Sequence, residues 1–525
     1  MATSLGRRGS PERARTASTL TTTASPVTSD SRALTAAVVL VVALGLVLRF
    51  LTQSHLWLDE ALTVNIAKLP LSRIPDALRH DGSPPLYYVA LHAWTAVFGS
   101  GDNAARALSA TFAVLTLPLI WLAGFRLGGR RTAVAALVLL AASPFAIRFA
   151  TEARMYSLLG LLALVGYLFL QQFLERPTVG AGVGIAVTSG LLALTHYWAF
   201  YLLAVAAVML LVRARRQHDR TSLIAVGAIV AGGILFLPWV PDFLYQMKHT
   251  GTPWADLPTF NAVIDTVRSW AGGGSDAGQL LNLIFIALAV LAVFGLAIEG
   301  RRIELDLRTR PGARRLVIAT VATLLVALVA AVALRSAFVV RYTSVVFPLF
   351  ILVVAFGTLV FADGRLRVGV LALSVFLGFA AAIPNVGSHR TQAGLVAQVL
   401  QRSAQPGDVV GYCPDQLGPS VSRLVTVPVT QLTFPRETAP EFVNWVDYSK
   451  VNHAAATAPF AQLLDQRAGD HTVWLVWSPN YKTFGSKCST IIDRLHLLRP
   501  QMTRVVKVNP KYEERMGLIR YLPNP

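Results

Sequence analysis

Five short stretches of this sequence gather the side chains that acid–base and phosphate chemistry require. Asp59-Glu60 stands in SHLWLDEALTV, directly after an apolar run. A carboxylate kept at a membrane edge is costly and usually has a task; here it could take a proton from a hydroxyl as a general base. The plainer alternative is an acidic pair in a wet loop. His80-Asp81-Gly82-Ser83-Pro84-Pro85-Leu86 is followed by Tyr87 and Tyr88. Glycine and the paired prolines force a turn, and the tyrosines are either site residues or an aromatic anchor. Glu152-Ala153-Arg154-Met155-Tyr156, with Arg148 one turn earlier, closes one apolar run and opens the next. His196 precedes Tyr197 and Trp198, where a lone histidine is more often a packed residue than a ligand. Arg341-Tyr342, with Arg335 nearby, opens another run, and a guanidinium there suits a phosphate.

Each signal is weak alone. Together they offer acids, a histidine, aromatics and arginines, the set that a phosphorylated lipid carrying a sugar would need. Arginines would hold the phosphate, an acid would deprotonate an acceptor hydroxyl, and the rings would hold sugar or isoprenoid.

The elements that must position these groups follow from composition. Of 525 residues, 54% are hydrophobic and only 14% charged, against roughly 25% charged in an average soluble domain. The apolar residues fall into runs near the roughly 20 residues that span a bilayer. Eleven such runs lie at about 33–52, 103–125, 132–149, 155–174, 179–195, 197–212, 222–240, 279–298, 315–334, 342–361 and 367–384. The first is too long for a signal peptide and lacks a cleavage site. A twelfth run, Pro84 to Phe98, is short and carries Tyr87, Tyr88, His92 and Trp94, an interfacial composition.

The arginines orient these runs. If 84–98 does not span, Arg7, Arg8, Arg13, Arg15 and Arg32 fall on the same side as Arg126, Arg130 and Arg131. So do Arg213, Arg215, Arg216, Arg220, Arg301, Arg302, Arg308, Arg310, Arg314, Arg315, Arg365 and Arg367. If it does span, the later clusters change sides and the positive-inside rule fails. We therefore expect eleven spans, a cytoplasmic N-terminus, and 84–98 lying in the outer leaflet. The net charge of +19 is explained by these orientation signals, and nucleic acid is not expected as a partner.

Three regions follow: a disordered cytoplasmic N-terminus (1–32), a polytopic all-α membrane domain (33–384) whose first extracytoplasmic loop (53–102) holds juxtamembrane helices, and a small extracytoplasmic α/β domain (385–525). In the last, DVVGY (408–412) and TVWLVW (472–477) read as buried strands, while 394–402 and 490–498 read as amphipathic helices. The two cysteines, Cys413 and Cys488, both lie there. They are open to a disulfide or to two buried thiols, and no zinc-type spacing is present. No internal repeat of the transporter kind is visible, nor any nucleotide fingerprint.

LWLDEALTV, HDGSPPLYYVALHAW, GDNAARALSA, FRLGGRRTA, SPFAIRFATEARMYSL, LTHYWAF and VVRYTSVVFPLF occur in this order. Over about residues 35–384 this series resembles the GT-C membrane glycosyltransferases, in particular the bacterial relatives of protein O-mannosyltransferases (family 39-like). The resemblance implies transfer of a monosaccharide, mannose-type, from a polyprenyl-phosphate carrier to an acceptor at the outer face of the cytoplasmic membrane, with inversion. It implies Asp59 as catalytic base and Glu60 as second acid of the pair. The Pro-Pro-Leu-Tyr-Tyr segment would be a juxtamembrane helix beside the lipid site. Arg154 and Tyr156 would lie near the active site, and Arg341 and Tyr342 near the sugar phosphate. Many relatives read His-Pro-Pro where this chain has Ser83-Pro84-Pro85. If that histidine holds metal or phosphate, His80 or His196 must substitute, or the role is absent here; no cofactor is called for, and a divalent cation stays open. The sugar acceptor, whether glycan, lipid or protein, is not indicated.

Rival classes are a multi-pass lipid or sugar transporter, which needs polar residues near mid-bilayer, and a non-catalytic envelope scaffold, to which Asp59→Asn would be harmless. A phospholipid-modifying enzyme would differ only in its product.

Overall fold

The computed structural model describes residues 29–297, 303–306, 310–479 and 481–524. Most of the N-terminal segment expected to be disordered, and Arg7, Arg8, Arg13, Arg15, Arg301, Arg302 and Arg308, lie outside the described residues.

The helices begin with α1 (Ser29–Phe50), α2 (Leu58–Ala67), α3 (Ile74–Asp81), α4 (Leu86–Phe98), α5 (Asp102–Ala141), α6 (Pro144–Ala150) and α7 (Tyr156–Glu175). They continue with α8 (Val179–Thr195), α9 (Ala199–Gln217), α10 (Arg220–Phe236), α11 (Val240–His249), α12 (Asn261–Trp270) and α13 (Asp276–Phe294). A short antiparallel ribbon of β1 (Gly295–Ala297) and β2 (Ile303–Leu305) leads to α14 (Pro311–Ala333), α15 (Phe347–Gly357) and α16 (Gly364–Gly387).

Among the described residues, seven helices are long and apolar enough to cross a membrane: Arg32–Phe50, Asp102–Ala141, Tyr156–Glu175, Arg220–His249, Asp276–Phe294, Pro311–Ala333 and Gly364–Gly387. Leu86–Phe98, Val179–Thr195 and Phe347–Val360 are shorter apolar helices. Asp102–Ala141 contains the expected run 103–125 and the first part of 132–149, with a kink between them where Gly128 and Gly129 leave helical geometry; the rest of 132–149 falls on α6. α4 has 13 residues, about 20 Å at 1.5 Å per residue, well short of a roughly 30 Å hydrocarbon core. It starts after Gly82, whose φ of 89° is the left-handed turn that only glycine adopts without strain. Tyr87, Tyr88 and Leu91 are buried on its inner face. α8 and α10 approach through Gly190 and Gly232, where an added Cβ would come within 2.6 Å and 2.4 Å of backbone oxygens; small residues at such contacts let helices pack closely where no water drives them together.

The C-terminal region is an α/β unit. It holds α17 (Ala393–Ser403), β3 (Val409–Cys413), α18 (Gly418–Ser422), β4 (Thr430–Thr433), α19 (Tyr448–Ala454), α20 (Thr457–Ala468), β5 (Val473–Trp477), α21 (Lys487–Leu498), β6 (Met502–Val506) and β7 (Gly517–Tyr521). The sheet order is β4-β3-β5-β7-β6. β4, β3 and β5 run parallel, and β7 pairs antiparallel with β5 and β6. Helices cover the central strands, so β3 is buried along its whole length, as parallel strands usually are. Cys413 and Cys488 are joined in a disulfide that ties the end of β3 to α21 across 75 residues; closing a loop of that size restricts the unfolded chain by about 4.5 kcal/mol in the chain-entropy account.

This unit rests on the end of the helical bundle that carries α2, α3 and α11. Trp445 N–H donates to His80 O (3.0 Å), Asp447 N–H to His249 O (2.9 Å), and Asn65 Nδ2 to Glu441 O (2.8 Å).

Asp415, just after β3, accepts from the Tyr448 hydroxyl at 2.5 Å and is pushed up to about 7 by burial. An unfolded Asp titrates near about 3.9, so between those values the folded chain holds the extra proton. The stabilisation tied to this group is therefore full below about pH 4, falls as pH rises to about 7, and is flat beyond. Asp415→Asn should make the thermal midpoint less sensitive to pH over that window. An unaltered slope would mean that other groups set it.

Candidate active site

The site is built where α2, the Gly82–Pro85 turn, the 151–155 loop and the 340–345 turn meet. Asp59 is the second residue of α2. Its Oδ2 lies 3.1 Å from a terminal nitrogen of Arg341, and both side chains are about one-fifth exposed, so the pair is open on one side. The Arg341 guanidinium is also ringed by Trp57, Trp254 and Tyr342, with centroids 5.6, 5.7 and 5.8 Å away. Aromatic faces attract a cation at this range and leave its N–H groups free to bind an anion. Arg341 Nε is buried with no partner.

Arg154 stands behind Asp59. Its NH1 donates to Thr63 Oγ1 at 2.6 Å, to the Tyr88 hydroxyl at 3.2 Å and to Asp59 O at 3.4 Å. Tyr88 in turn donates to Asp81 Oδ2 at 2.8 Å. Burial raises the Asp81 carboxyl against the opposing pull of Arg154, Ser83 and Tyr88. Tyr87 shares a hydrogen bond with Ser109 (2.7 Å), whose hydroxyl donates to Arg154 O (3.0 Å). The two tyrosines of the expected anchor are thus inward struts for Arg154.

Glu60 differs from its neighbour. It is fully buried, and Arg106 grips both its oxygens, Nε to Oε1 at 2.7 Å and NH2 to Oε2 at 2.5 Å. Ala153 N–H adds 2.8 Å to Oε1. Burial alone would raise this carboxyl, but Arg106, helped by Arg390 and Ala153, holds it below the usual range. Arg106 also reaches Ser54 O (2.5 Å) and His55 O (3.1 Å). Both Glu60 oxygens are occupied, so this acid fixes the start of α2 against α5 and the 151–155 loop, and Asp59 alone of the two faces the opening. Arg106 lies within GDNAARALSA, and its partner 46 residues away cannot be read from spacing.

Tyr156 and Glu152 line the same space. The Tyr156 hydroxyl, Arg154 Nε and Glu152 Oε1 are all buried without partners, although Arg148 Nε lies 3.8 Å from Glu152 Oε2. Burial raises the Glu152 carboxyl against Arg148 and Arg390. His196 packs on Tyr342 with centroids 4.6 Å apart, and its Nδ1 accepts the Trp198 N–H at 3.1 Å, which leaves Nε2 as the protonated nitrogen. His80 does not join the group: its Nδ1 bonds the carbonyl of Asp76 one turn back, at 2.8 Å. Among the described residues no three His, Cys, Asp or Glu side chains form a group able to hold a metal ion.

The structure thus brings Asp59, Asp81, Tyr87, Tyr88, Glu152, Arg154, Tyr156, His196, Arg341 and Tyr342 to one region, with Glu60 behind it and His80 apart. Sequence reasoning missed Trp57, Thr63, Arg106, Ser109 and Trp254.

Residues 82–241 match the family described as dolichyl-phosphate-mannose-protein mannosyltransferase. No curated protein matches the chain. Among solved structures, ArnT from Cupriavidus metallidurans in the apo state superposes with a TM-score of 0.63 at 15% identity, over 94% of this chain and 100% of its own. The same protein bound to undecaprenyl phosphate gives 0.60 at 16%, over 94% and 99%. The arabinofuranosyltransferase AftD from Mycobacteria gives 0.50 at 15% over 93% of this chain, but only 42% of AftD is covered. At these identities the likeness is one of fold. The chain has the GT-C membrane fold with a small C-terminal sheet domain, and over residues 82–241 it is similar to the protein mannosyltransferases.

Proposed function

We propose that the chain is an inverting glycosyltransferase that takes a monosaccharide, mannose-type, from a polyprenyl-phosphate carrier at the outer face of the cytoplasmic membrane. The observation that carries this reading is the partly open Asp59–Arg341 pair among buried polar atoms that lack partners, Arg341 Nε, Arg154 Nε and the Tyr156 hydroxyl. Buried polar groups are ordinarily satisfied, and a polar ligand in this opening would supply these atoms with partners. A bound undecaprenyl phosphate in the ArnT structure of the same fold makes a lipid phosphate the natural candidate.

In the proposed reaction the donor phosphate draws Arg341 off Asp59, because a guanidinium binds phosphate oxygens well. The freed Asp59 carboxylate accepts the proton of the acceptor hydroxyl. That oxygen attacks the anomeric carbon on the face opposite the phosphate, the bond from that carbon to the phosphate oxygen breaks, and its electron pair stays on the departing polyprenyl phosphate. Arg341, with Arg154, offsets the charge that grows there. Trp57, Trp254 and Tyr342, whose rings surround Arg341, would flank the sugar. In this reading the site faces outward and the N-terminus lies in the cytoplasm, the orientation expected from the arginine pattern.

Arg341→Ala should lower turnover of a polyprenyl-phosphate sugar by about 10²–10³-fold, with Arg341→Lys recovering part of it, as measured by release of polyprenyl phosphate in membranes. Full turnover by the alanine variant would remove Arg341 from the phosphate and with it the core of this reading.

A further inference from the structure

We propose that Glu514 of the C-terminal domain is the positioning residue for Asp59, capping the catalytic helix α2 from outside the membrane domain, a role that rests on Asp59 being the base.

The first N–H groups of a helix have no partner within it, and a Ser, Thr, Asp or Asn just before the helix normally supplies one. Here that place is taken by Trp57, whose indole is a donor only. An acceptor for the first of these amides comes from 456 residues away. Leu58 N–H, at the first position of α2, donates to Glu514 Oε1 at 3.1 Å. Asp59 is the next residue. The Ser420 hydroxyl donates to the same oxygen at 3.0 Å, and Oε2 is buried without a partner.

Glu514 is itself held firmly. Its N–H donates to Arg390 O (2.9 Å), and its carbonyl accepts from Gln392 N–H (3.1 Å). Arg390 N–H then donates to Ser54 Oγ (2.9 Å), and its guanidinium bonds Thr151 at O (2.7 Å) and Oγ1 (2.6 Å). The segment that carries the cap is therefore fastened to the loops on both sides of Asp59, 53–57 and 151–155. Burial pushes the Glu514 carboxyl up to about 8, so a neutral glutamine is a close mimic that keeps the acceptor oxygen. The C-terminal domain thereby acquires a task in the reaction: it holds the base in register with Arg341.

The test compares full-length wild type, Glu514→Ala and Glu514→Gln in detergent by hydrogen exchange of peptides covering residues 54–66, and in membranes by donor turnover. The alanine variant should exchange the first amides of α2 faster, and its kcat should fall, each by about tenfold or more, with the donor KM little changed. The glutamine variant should match wild type in both. Wild-type exchange together with wild-type kcat in Glu514→Ala would overturn the proposal. So would equal losses in the alanine and glutamine variants that track a lowered thermal midpoint, since that pattern marks general domain packing. If wild type turns over no polyprenyl-phosphate sugar, the transferase reading fails, yet the exchange comparison still decides whether Glu514 caps α2.

Discussion

Asp59→Asn is expected to lower sugar transfer by about 10²–10⁴-fold, the usual contribution of a general base, with the protein still folded. Asparagine keeps the shape of the side chain beside Arg341, 3.1 Å away, but it cannot take a proton. The loss should therefore appear in kcat with little change in donor KM, because the phosphate would still meet Arg341 and Arg154. Initial rates across donor concentrations, with thermal midpoints of both proteins, would check this. A variant within about twofold of wild type would show that Asp59 does not act as base.

The second large effect concerns stability. Glu60→Ala leaves Arg106 buried without its carboxylate, and removing one member of a buried pair typically costs about 3–5 kcal/mol. Arg106 also anchors Ser54 and His55, so the start of α2 should loosen and activity fall with it. Replacing both partners by apolar residues of similar size, Glu60→Leu with Arg106→Met, should recover part of the stability, but little activity, since the ties to the 54–55 segment stay broken. Heating followed by size-exclusion chromatography would separate the three proteins. A Glu60→Ala protein as stable as wild type would mean that the pair carries no structural load.

The two neighbouring carboxylates show where sequence reading stops. Their place after the first apolar run and the arginine pattern indicated a membrane-edge site, and the shortness of the 84–98 run, borne by a helix of 13 residues, was legible from its composition. The division of labour between Asp59 and Glu60 was not, because it depends on Arg106, which sits in a different helix. His80 had the right type and a nearby position, yet its ring is taken up by the Asp76 carbonyl, a local bond that outcompetes the distant site.

In the C-terminal domain the all-apolar cores of β3 and β5 and the periodicity of α17 and α21 were readable. β6 and β7, of the same length as β3 and β5, were not, since each is interrupted by arginine: MTRVV and GLIRY. Glu514 lies in KYEER, a charged run that looks like solvated surface; only its tertiary contact with Leu58 reveals it as buried.

The most direct measurement is transfer from synthetic polyprenyl-phosphate sugars (mannose, glucose, galactose and arabinose) in membranes containing wild type or Asp59→Asn, with released polyprenyl phosphate read by mass spectrometry. The account predicts that wild type consumes one of these donors, mannose first, and that the variant does not. Folded wild-type protein that consumes none of them, or consumption that is the same in both membranes, would contradict it.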